Sequence, residues 1–599
     1  MIHRAMIPFG VAAVTALCFL PALSGTFLNW DDNVNFLDNP AYQGLGREQV
    51  RWAFTSVSFG HYIPLTRLTW SANFALGGMN PWGYHLVNVL AHAANAAIFY
   101  FVARRLLAAA ATGGSQDARH QPAIQAGAAV AAIVFGVHPL RVEPVSWITG
   151  RADLLCALFA LVAVWTYLRA VEAAGPARPG LVLVSALALA GALLSKGVAL
   201  PLPAGLLLLD VYPLRRVGRY GWPTLVREKI PVFLVGLAGA GVVLYALRYG
   251  ALLTAASTYG LVARGCAAGY SFTISLVRFI WPASLSPLYE MPARISPTDP
   301  RFGLGVAAAV AITVGLIALR SRWPGGLAAW GFSALMLAPT SLAVRQGADL
   351  APDRYSYLAG LGFALLVGGA VVGGLQLVRR GVLARPIARM VGVAGLAALM
   401  GLAVASWSFA QVWAQSESLW RWAVEIDPAC SVCQGKLGES VLGGAGGTTR
   451  VGEAEAYFRR AIALRPDLPD AYFNLGTALV IQHRYPEAEG PLRSYMERVP
   501  HAAAGPERLG LLYLLEGRHE EAIPLLRSAF IRKPDAPLLR GYLIQALEAR
   551  AGELVSQGRG GEANLLRAEA RALGGAQAAG QARPDAAAPR SGPGPAGRP

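Results

Sequence analysis

Long apolar runs recur along the first two thirds of the chain, and short polar loops separate them. A helix needs about 20 apolar residues to cross a bilayer, although shorter runs can cross when tilted or can enter and return on one side. Eleven runs fit this description, near residues 7–25, 84–107, 123–138, 154–172, 180–195, 197–213, 230–248, 303–320, 325–343, 357–378 and 390–411. A twelfth run, 266–282, contains Arg278 and several hydroxyl residues, and it also suits an amphipathic helix in the interface.

Arginines indicate the orientation of these helices. They occur in every second loop, at Arg104 and Arg105, Arg169 and Arg178, Arg215, Arg216 and Arg219, Arg320 and Arg322, and Arg379 and Arg380. Because cationic loops stay in the cytoplasm, we expect a cytoplasmic N-terminus. The outer loops are then 26–83, 139–153, 249–302, 344–356 and everything after about residue 412. If 266–282 were a span, the later arginine loops would lie outside the cytoplasm, which argues against counting it. In a bacterium this arrangement predicts an inner-membrane protein with a periplasmic C-terminal part.

Composition supports a membrane protein. Of the 599 residues, 54% are hydrophobic and 15% are charged, and the formal net charge is +17. A basic chain can bind nucleic acid, but here much of the excess lies in short loops between apolar runs, where it sets topology and contacts lipid. We therefore expect membrane lipid, and no nucleic acid, as a partner.

From residue 412 the chain becomes polar enough for soluble helices, and a period of 34 residues appears. Three series repeat at this spacing: Leu475-Gly476 with Leu509-Gly510, Ala454 with Ala488 and Ala522, and Pro466 with Pro500 and Pro534. Small residues where paired helices touch, with proline between units, are typical of tetratricopeptide (TPR) repeats, which stack into an α-solenoid. The expected fold class is all-α, with a polytopic membrane domain over 1–411, a TPR domain over 412–574 and a disordered tail over 575–599.

Two polar clusters lie near the first two predicted spans. Asp31 and Asp32 directly follow the first span, where a carboxylate with a raised pKa can accept a proton from a hydroxyl. The alternative is that both side chains bond loop amides in a turn or cap. A polar stripe along the second span consists of His85, Asn88, His92 and Asn95. Substrate contact and hydrogen bonding between helices explain this stripe about equally well.

Two further clusters lie in later outer loops. The first contains His138, Glu143, Arg151 and Asp153, and the second contains Arg354 and Tyr355. These groups suit phosphate binding and the positioning of a base, whereas structural ion pairs and interfacial tyrosines are the alternatives. Lys196, near the same face, joins the basic set with lower weight. No metal-binding motif such as His-Glu-x-x-His occurs, so no metal is expected.

At these residues the chain resembles the transmembrane-and-TPR protein family, whose animal members are protein O-mannosyltransferases. The motifs that match are Asn29-Trp30-Asp31-Asp32, Pro64-Leu65-Thr66, Tyr84-His85-Leu86-Val87-Asn88, His138-Pro139 with Val142-Glu143, Arg151 with Asp153, and Asp353-Arg354-Tyr355-Ser356-Tyr357. The family is similar to GT-C glycosyltransferases, in which a polyprenyl-phosphate sugar enters from the membrane and an acidic residue of the first outer loop acts on the acceptor. The resemblance implies a GT-C-like membrane domain of about eleven spans, with Asp31 and Asp32 at its active site.

The resulting hypothesis is an inverting glycosyltransferase that moves a sugar, mannose by the resemblance, from a polyprenyl phosphate to a hydroxyl of a protein or glycan. Asp31 or Asp32 accepts the proton, and the TPR groove binds the acceptor or another protein partner. The substrate-binding residues are expected to be His85, Asn88, His138, Glu143, Arg151, Asp153, Arg354 and Tyr355. The lipid-linked sugar is a co-substrate, and no cofactor is expected. The alternatives are a non-catalytic TPR scaffold for envelope or polysaccharide assembly and a transporter that uses the polar stripe.

Overall fold

The structure is a computed structural model, and it describes residues 2–112, 120–172, 175–250, 259–340, 349–444 and 446–581. These residues contain no strand, only two isolated bridges, Ser58 with His61 and Glu290 with Asp349. The prediction of an all-α chain is therefore confirmed. The helices of the described residues are α1 (Ile2–Cys18), α2 (Arg47–Thr55), α3 (Pro64–Gly77), α4 (Pro81–Thr112), α5 (Gln121–Val137), α6 (Val142–Ser146), α7 (Arg151–Ala170), α8 (Pro179–Ser195), α9 (Leu202–Val211), α10 (Val217–Glu228), α11 (Ile230–Tyr249), α12 (Leu261–Ile280), α13 (Pro300–Ala318), α14 (Pro324–Leu337), α15 (Ser356–Arg379), α16 (Arg385–Val412), α17 (Ser416–Ile426), α18 (Ser431–Gly443), α19 (Val451–Leu464), α20 (Pro469–Ile481), α21 (Tyr485–Arg498), α22 (Ala504–Leu515), α23 (His519–Arg532), α24 (Pro537–Ser556) and α25 (Gly560–Gln581).

The chain divides into two compact units, the first ending at Cys430 and the second beginning at Ser431. Helix α17 falls in the first unit, whereas the predicted boundary at 411 and 412 assigns it to the repeat domain. Helix α25 continues to Gln581, past the predicted start of the tail. Residues 582–599 of the predicted disordered tail lie outside the described residues. The domain limits inferred from the sequence stay predictions.

The first unit contains the apolar helices of an integral membrane protein. Six helical stretches of the described chain are long and apolar enough to cross a membrane: Pro81–Ala111, Ile148–Ala170, Ile230–Tyr249, Pro300–Ala318, Asp353–Arg379 and Arg385–Val412. A seventh is formed if the bent pair Gln121–Val137 and Pro139–Ser146 is one span. Shorter apolar helices cover Met6–Cys18, Pro179–Ser195 and Gly197–Val211. The number of eleven crossings stays a prediction, and α12, which includes most of the uncertain run at 266–282, is not among the six.

The polar stripe of α4 faces the interior of the first unit, where all four of its side chains are buried. Asn88 Nδ2 donates to the carbonyl oxygen of Trp147 at 2.9 Å, ahead of α7. His92 Nδ1 lies 2.7 Å from the hydroxyl of Tyr357, and Asn95 donates to the same hydroxyl at 3.0 Å. These bonds connect α4 to the start of α7 and to α15. This is the helix–helix hydrogen bonding that the sequence left as one of two interpretations.

Helices α5 and α15 touch through glycines. A Cβ atom on Gly127 would collide with the carbonyl oxygen of Gly368, and one on Gly368 would collide with that of Gly127. Small residues allow membrane helices to approach this closely. The contact holds α15 against the bundle, and the residues that immediately precede α15 face the candidate site.

The second unit is built from helix pairs, α18 with α19, α20 with α21, α22 with α23, and α24 with α25. Gly476 of α20 packs against Leu492 of α21. The equivalent contact in the next pair, Gly510 of α22 with Leu526 of α23, lies 34 residues later in the chain. In both pairs a Cβ atom in place of the glycine hydrogen would come within 3 Å of the leucine side chain. The spacing found in the sequence therefore corresponds to one helix pair per repeat.

Candidate functional site

A cleft of about 280 Å³ lies in the first unit where five loop segments meet. One segment follows α1, one joins α2 to α3, one joins α6 to α7, one follows α8 and one precedes α15. The predicted site residues in its wall are Asp31, Asp153, Arg354 and Tyr355, and Lys196 also lines it. The structure thus brings together residues that are more than 300 positions apart in the chain.

The segment before Asp31 is fixed against α17 and the turn that precedes it. Thr26 N–H donates to the carbonyl oxygen of Ala414 at 2.9 Å, and Asn29 N–H donates to the Ser416 hydroxyl at 2.9 Å. The indole of Trp420 donates to Asn29 Oδ1 at 2.6 Å and packs edge-on against Trp30, with ring centroids 5.1 Å apart. These contacts hold Trp30 and the following Asp31 in the wall of the cleft.

Asp31 and Asp32 occupy different environments. Asp32 is completely buried, and its carboxylate accepts hydrogen bonds from Leu28 N–H at 3.0 Å and from the Thr149 hydroxyl at 2.7 Å. The same hydroxyl accepts from Asn35 Nδ2 at 3.1 Å. Thr149 N–H also donates to this carboxylate, at 3.3 Å. Burial raises the pKa of Asp32 to about 7, although all three hydrogen-bond donors favour the ionised form. Asp32 therefore anchors the loop to the start of α7, and Asp31 is the carboxylate beside the cleft.

Lys196 and Asp153 form a nearly buried ion pair on another wall. Lys196 Nζ lies 2.6 Å from Asp153 Oδ2, and the two side chains are 10% and 4% exposed. The ammonium lies 6.0 Å from the ring centre of Tyr355. The extended backbone of Lys196 directly follows the end of α8, and its carbonyl oxygen accepts a hydrogen bond from the Cys156 thiol. A cation is thus held in the cleft, although sequence reasoning assigned Lys196 only a low weight.

Arg354 supplies a second cation. Glu143 binds both its backbone N–H, at 2.8 Å, and its guanidinium. Asp349 Oδ2 lies 3.6 Å from the same guanidinium, which is also 5.6 Å from the ring centre of Trp147. Burial raises the pKa of Asp349 to about 7, and the charge of Arg354 opposes this rise. Around neutral pH, therefore, a proton on Asp349 can be lost or gained within the cleft.

A smaller apolar pocket adjoins the cleft. Val242 and Val243 of α11 line it together with Leu193 of α8. Lys196 and Tyr355 line both the pocket and the cleft. One ligand can therefore place its polar group at Lys196 and its apolar chain in the pocket between α8 and α11.

Arg151, predicted to bind substrate, lies outside this wall. It is fully buried, and its Nε donates to Asn88 Oδ1 at 2.9 Å while Nη2 donates to the carbonyl oxygen of Tyr84 at 2.7 Å. Its Nη1 donates to the carbonyl oxygen of Thr69 at 3.2 Å and also to Asn73. These bonds tie α7 to α3 and α4.

His138 and His85 also lie away from the cleft. The ring of His138 stacks on Phe279 with centroids 4.8 Å apart, and its Nε2 lies 2.9 Å from the Phe279 carbonyl oxygen. His85 is buried against Gly25, where a Cβ atom would come within 2.7 Å of its ring. Neither histidine lines the cleft. Asn88 and Glu143 do not line it either; Asn88 binds Arg151, and Glu143 binds Arg354.

Thr149, Asn35 and Asp349 were missed by reasoning from the sequence. Asp349 lies four residues before the Asp353 motif, so a wider window would have included it. Thr149 and Asn35 lie close to recognised motifs, but their ordinary polar side chains gave no signal of their own. Only the contact of Thr149 with Asp32, 117 positions away, reveals its place beside the cleft.

Comparison with known proteins finds a matching repeat family and several similar proteins. A family described as Tetratricopeptide repeat matches residues 457–490. The chain is 33% identical over 172 residues to Protein O-mannosyl-transferase TMTC4 of Homo sapiens, covering 27% of this chain and 22% of that protein. It is 38% identical over 120 residues to Protein O-mannosyl-transferase Tmtc3 of Drosophila melanogaster, covering 19% of this chain and 13% of that protein. The predicted resemblance to transmembrane-and-TPR proteins is therefore confirmed.

The matched segments span less than a quarter of the length of these relatives. Among solved structures, the crystal structure of MamA is 20% identical and has a TM-score of 0.23, covering 27% of this chain and 89% of that one. Both kinds of match are partial.

Proposed function

We propose, from the similarity to protein O-mannosyl-transferases, that this membrane protein is a glycosyltransferase. It moves a sugar, mannose by that similarity, from a polyprenyl-phosphate carrier to a hydroxyl of a protein or glycan acceptor. The observation that supports this proposal is one cleft lined by the carboxylate of Asp31 and by two cations, Lys196 and Arg354. A base, a positive site for a leaving phosphate and an adjoining apolar pocket are the groups that such a transfer requires.

The proposed step uses Asp31 as the general base. The acceptor hydroxyl oxygen bonds to the anomeric carbon of the sugar while the bond from that carbon to the phosphate oxygen breaks. The phosphate leaves with the electron pair, the hydroxyl proton passes to Asp31, and attack opposite the leaving group inverts the anomeric carbon. Asp32 is a positioning residue in this scheme because its carboxylate holds the loop and faces protein donors rather than the cleft.

Lys196 and Arg354 stabilise the departing phosphate. Each cation is already paired with an acid, Asp153 or Glu143, so its direction is set before substrate binds. Protonation of Asp349, whose pKa is raised to about 7, lowers the negative charge that an incoming phosphate meets. Because cationic side chains provide the charge, the scheme uses no metal ion.

Several residues of the original hypothesis take a supporting role in this scheme. The donors of Arg151 are bound within the bundle, and His138 is stacked on Phe279, so we assign neither to the phosphate. Asn88 holds Arg151, and Glu143 holds Arg354. The apolar pocket between α8 and α11 would hold the first part of the lipid chain beside Lys196.

The TPR repeats are proposed to bind the protein acceptor, because stacked helix pairs form extended concave surfaces. The arginine-rich loops support an orientation with the N-terminus in the cytoplasm. In a bacterium the cleft and repeats would then face the periplasm from the inner membrane. An impermeant thiol reagent, applied to intact cells with single cysteines introduced at the exposed positions Asp38 and Gly490, tests this orientation. Labelling of neither position would contradict it.

Sugar transfer by purified full-length protein from a panel of polyprenyl-phosphate sugars tests the activity. Asp31→Asn is expected to reduce transfer by about 10²–10⁴-fold, the usual contribution of a general base. Asp38→Asn is the matched control, since Asp38 is an exposed carboxylate of the same loop outside the cleft. If the two variants retain equal activity, Asp31 is not the base. A folded wild type that transfers no sugar from any donor would favour the non-catalytic scaffold instead.

A further inference from the structure

A second and larger cavity lies in the first unit at the opposite end of α15 from the candidate site. It encloses about 490 Å³ between α4, α7, α9, α14 and α15, within the usual size range of ligand sites. Among the described residues, none lines both this cavity and the cleft. The cleft lies beside Tyr355, before α15 begins, whereas this groove ends at Gln376, near the last turn of the helix.

The groove is apolar along its length and polar at one end. Along α15 it extends from Leu361 to Gln376, roughly 22 Å at a rise of about 1.5 Å per residue. One leaflet is about 20–22 Å deep when its headgroup region is included, so the groove matches the depth of a single leaflet. Phe99, Leu161 and Phe332 line it in addition to α15.

The polar end offers hydrogen-bond donors and positive charge. Arg322 lines this end and is exposed, and it is followed by Trp323, which is 50% exposed. Exposed tryptophan and arginine are typical of the membrane interface. Gln376 Nε2 is buried here with no hydrogen-bond partner among the described residues. A buried unpaired donor is costly, so an oxygen acceptor at this point would be stabilising.

Small residues create the space in the groove. A Cβ atom on Gly373 would have no atom of a neighbouring residue within 4 Å, although Gly373 lines the groove. The first atom of a side chain at this position would therefore enter the empty space.

We propose that this groove binds one anionic phospholipid from the leaflet that contains the arginine loops. An acyl chain lies along α15, and the headgroup phosphate or an ester oxygen accepts hydrogen bonds from Arg322 and Gln376. A phospholipid fits better than a polyprenyl carrier because the groove is one leaflet deep and its charged end lies far from the cleft. The inference is independent of the proposed sugar transfer.

Native mass spectrometry of full-length protein, purified and titrated with phosphatidylglycerol, phosphatidylcholine or polyprenyl phosphate, tests this proposal. One phosphatidylglycerol should bind with at least about tenfold preference over phosphatidylcholine, a difference of about 1.4 kcal/mol. Gly373→Leu should reduce this binding about tenfold or more. Gly374→Leu should not, since Gly374 lies on the same helix outside the groove and also has open space around it.

Arg322→Gln provides a second variant at an exposed position that does not endanger folding, with the exposed Arg320→Gln as its control. Arg322→Gln should remove the headgroup preference, and Arg320→Gln should retain it. Equal binding by the Gly373 and Gly374 variants would overturn the proposal. Preferential binding of polyprenyl phosphate that is lost in Gly373→Leu would also overturn it, in favour of a second carrier site.

Discussion

Replacing Thr149 by valine is expected to weaken the anchor that holds the loop of Asp31. The Thr149 hydroxyl donates to Asp32 at 2.7 Å and accepts from Asn35 at 3.1 Å. Valine has nearly the shape of threonine but makes neither bond. A hydrogen bond to a charged group contributes about 1.5–3 kcal/mol and a neutral one about 1 kcal/mol, so the expected loss of stability is roughly 2–4 kcal/mol.

This loss should depend on pH because Asp32 titrates near neutrality. Burial raises the pKa of Asp32 from an ordinary value of 3.8 to about 7. Between these values the folded state holds more protons than the unfolded state, so stability falls as the pH rises, by up to about 4 kcal/mol for this group alone. The Thr149 hydroxyl favours the ionised form, so its removal raises the pKa further. Thr149→Val should therefore cost more at about pH 8 than at about pH 5.5.

Thermal unfolding of the full-length protein in detergent, followed by tryptophan fluorescence at a fixed scan rate, measures this effect. Thr149→Ser is the matched control because serine keeps the hydroxyl. The valine variant should unfold several degrees below wild type, and the serine variant close to it. In an Asp32→Asn background the effect of Thr149→Val should shrink, because the two residues interact directly. Equal losses for valine and serine, or a valine effect that does not increase with pH, would refute the reasoning.

Two further predictions concern the cleft and the repeats. Lys196→Gln alone leaves Asp153 buried and unpaired, so it should destabilise the protein by about 3–5 kcal/mol. Adding Asp153→Asn should restore much of the stability. The KM of the double variant for a lipid-phosphate donor should stay raised by about tenfold. A KM equal to that of wild type would show that Lys196 does not bind the donor. In the second unit, Gly476→Val should cost about 1–3 kcal/mol because a Cβ atom comes within 2.6 Å of Leu492. Gly490→Val, at an exposed position with open space, is the control, and equal melting temperatures in circular dichroism would contradict the helix-pair packing.

Local patterns predicted the helices and the repeats. The 34-residue spacing of Gly476 and Gly510 could be recognised in the sequence because each helix pair packs mainly against its neighbours. The same contact therefore recurs at the same interval. The stripe of His85, Asn88 and His92 could be placed on one face of α4 because a helix has a fixed period. Whether that face met substrate or other helices was not decided by periodicity. The hydrogen bonds of Asn88 and His92 show that this face makes contacts within the bundle, and substrate contact stays a prediction.

The candidate site could be located only roughly from the sequence. The clusters of Asp31, Asp153 and Arg354 were recognised, and all three line one cleft. Arg151 appeared to be an equally good phosphate ligand because its charge and neighbours are similar to those of Arg354. The difference lies in the partners that folding gives each guanidinium, and those partners come from other helices.

An all-α membrane protein with C-terminal TPR repeats could be predicted from the amino-acid sequence, because apolar run length and repeat period depend on residues close together in the chain. Which polar residues line the cleft follows instead from contacts between distant segments. Asp31 and Asp32 are adjacent and chemically identical, yet the Thr149 hydroxyl holds the carboxylate of Asp32, and Asp31 lines the cleft. Such distinctions depend on burial and hydrogen bonding between distant segments, and a one-dimensional pattern contains no direct record of either.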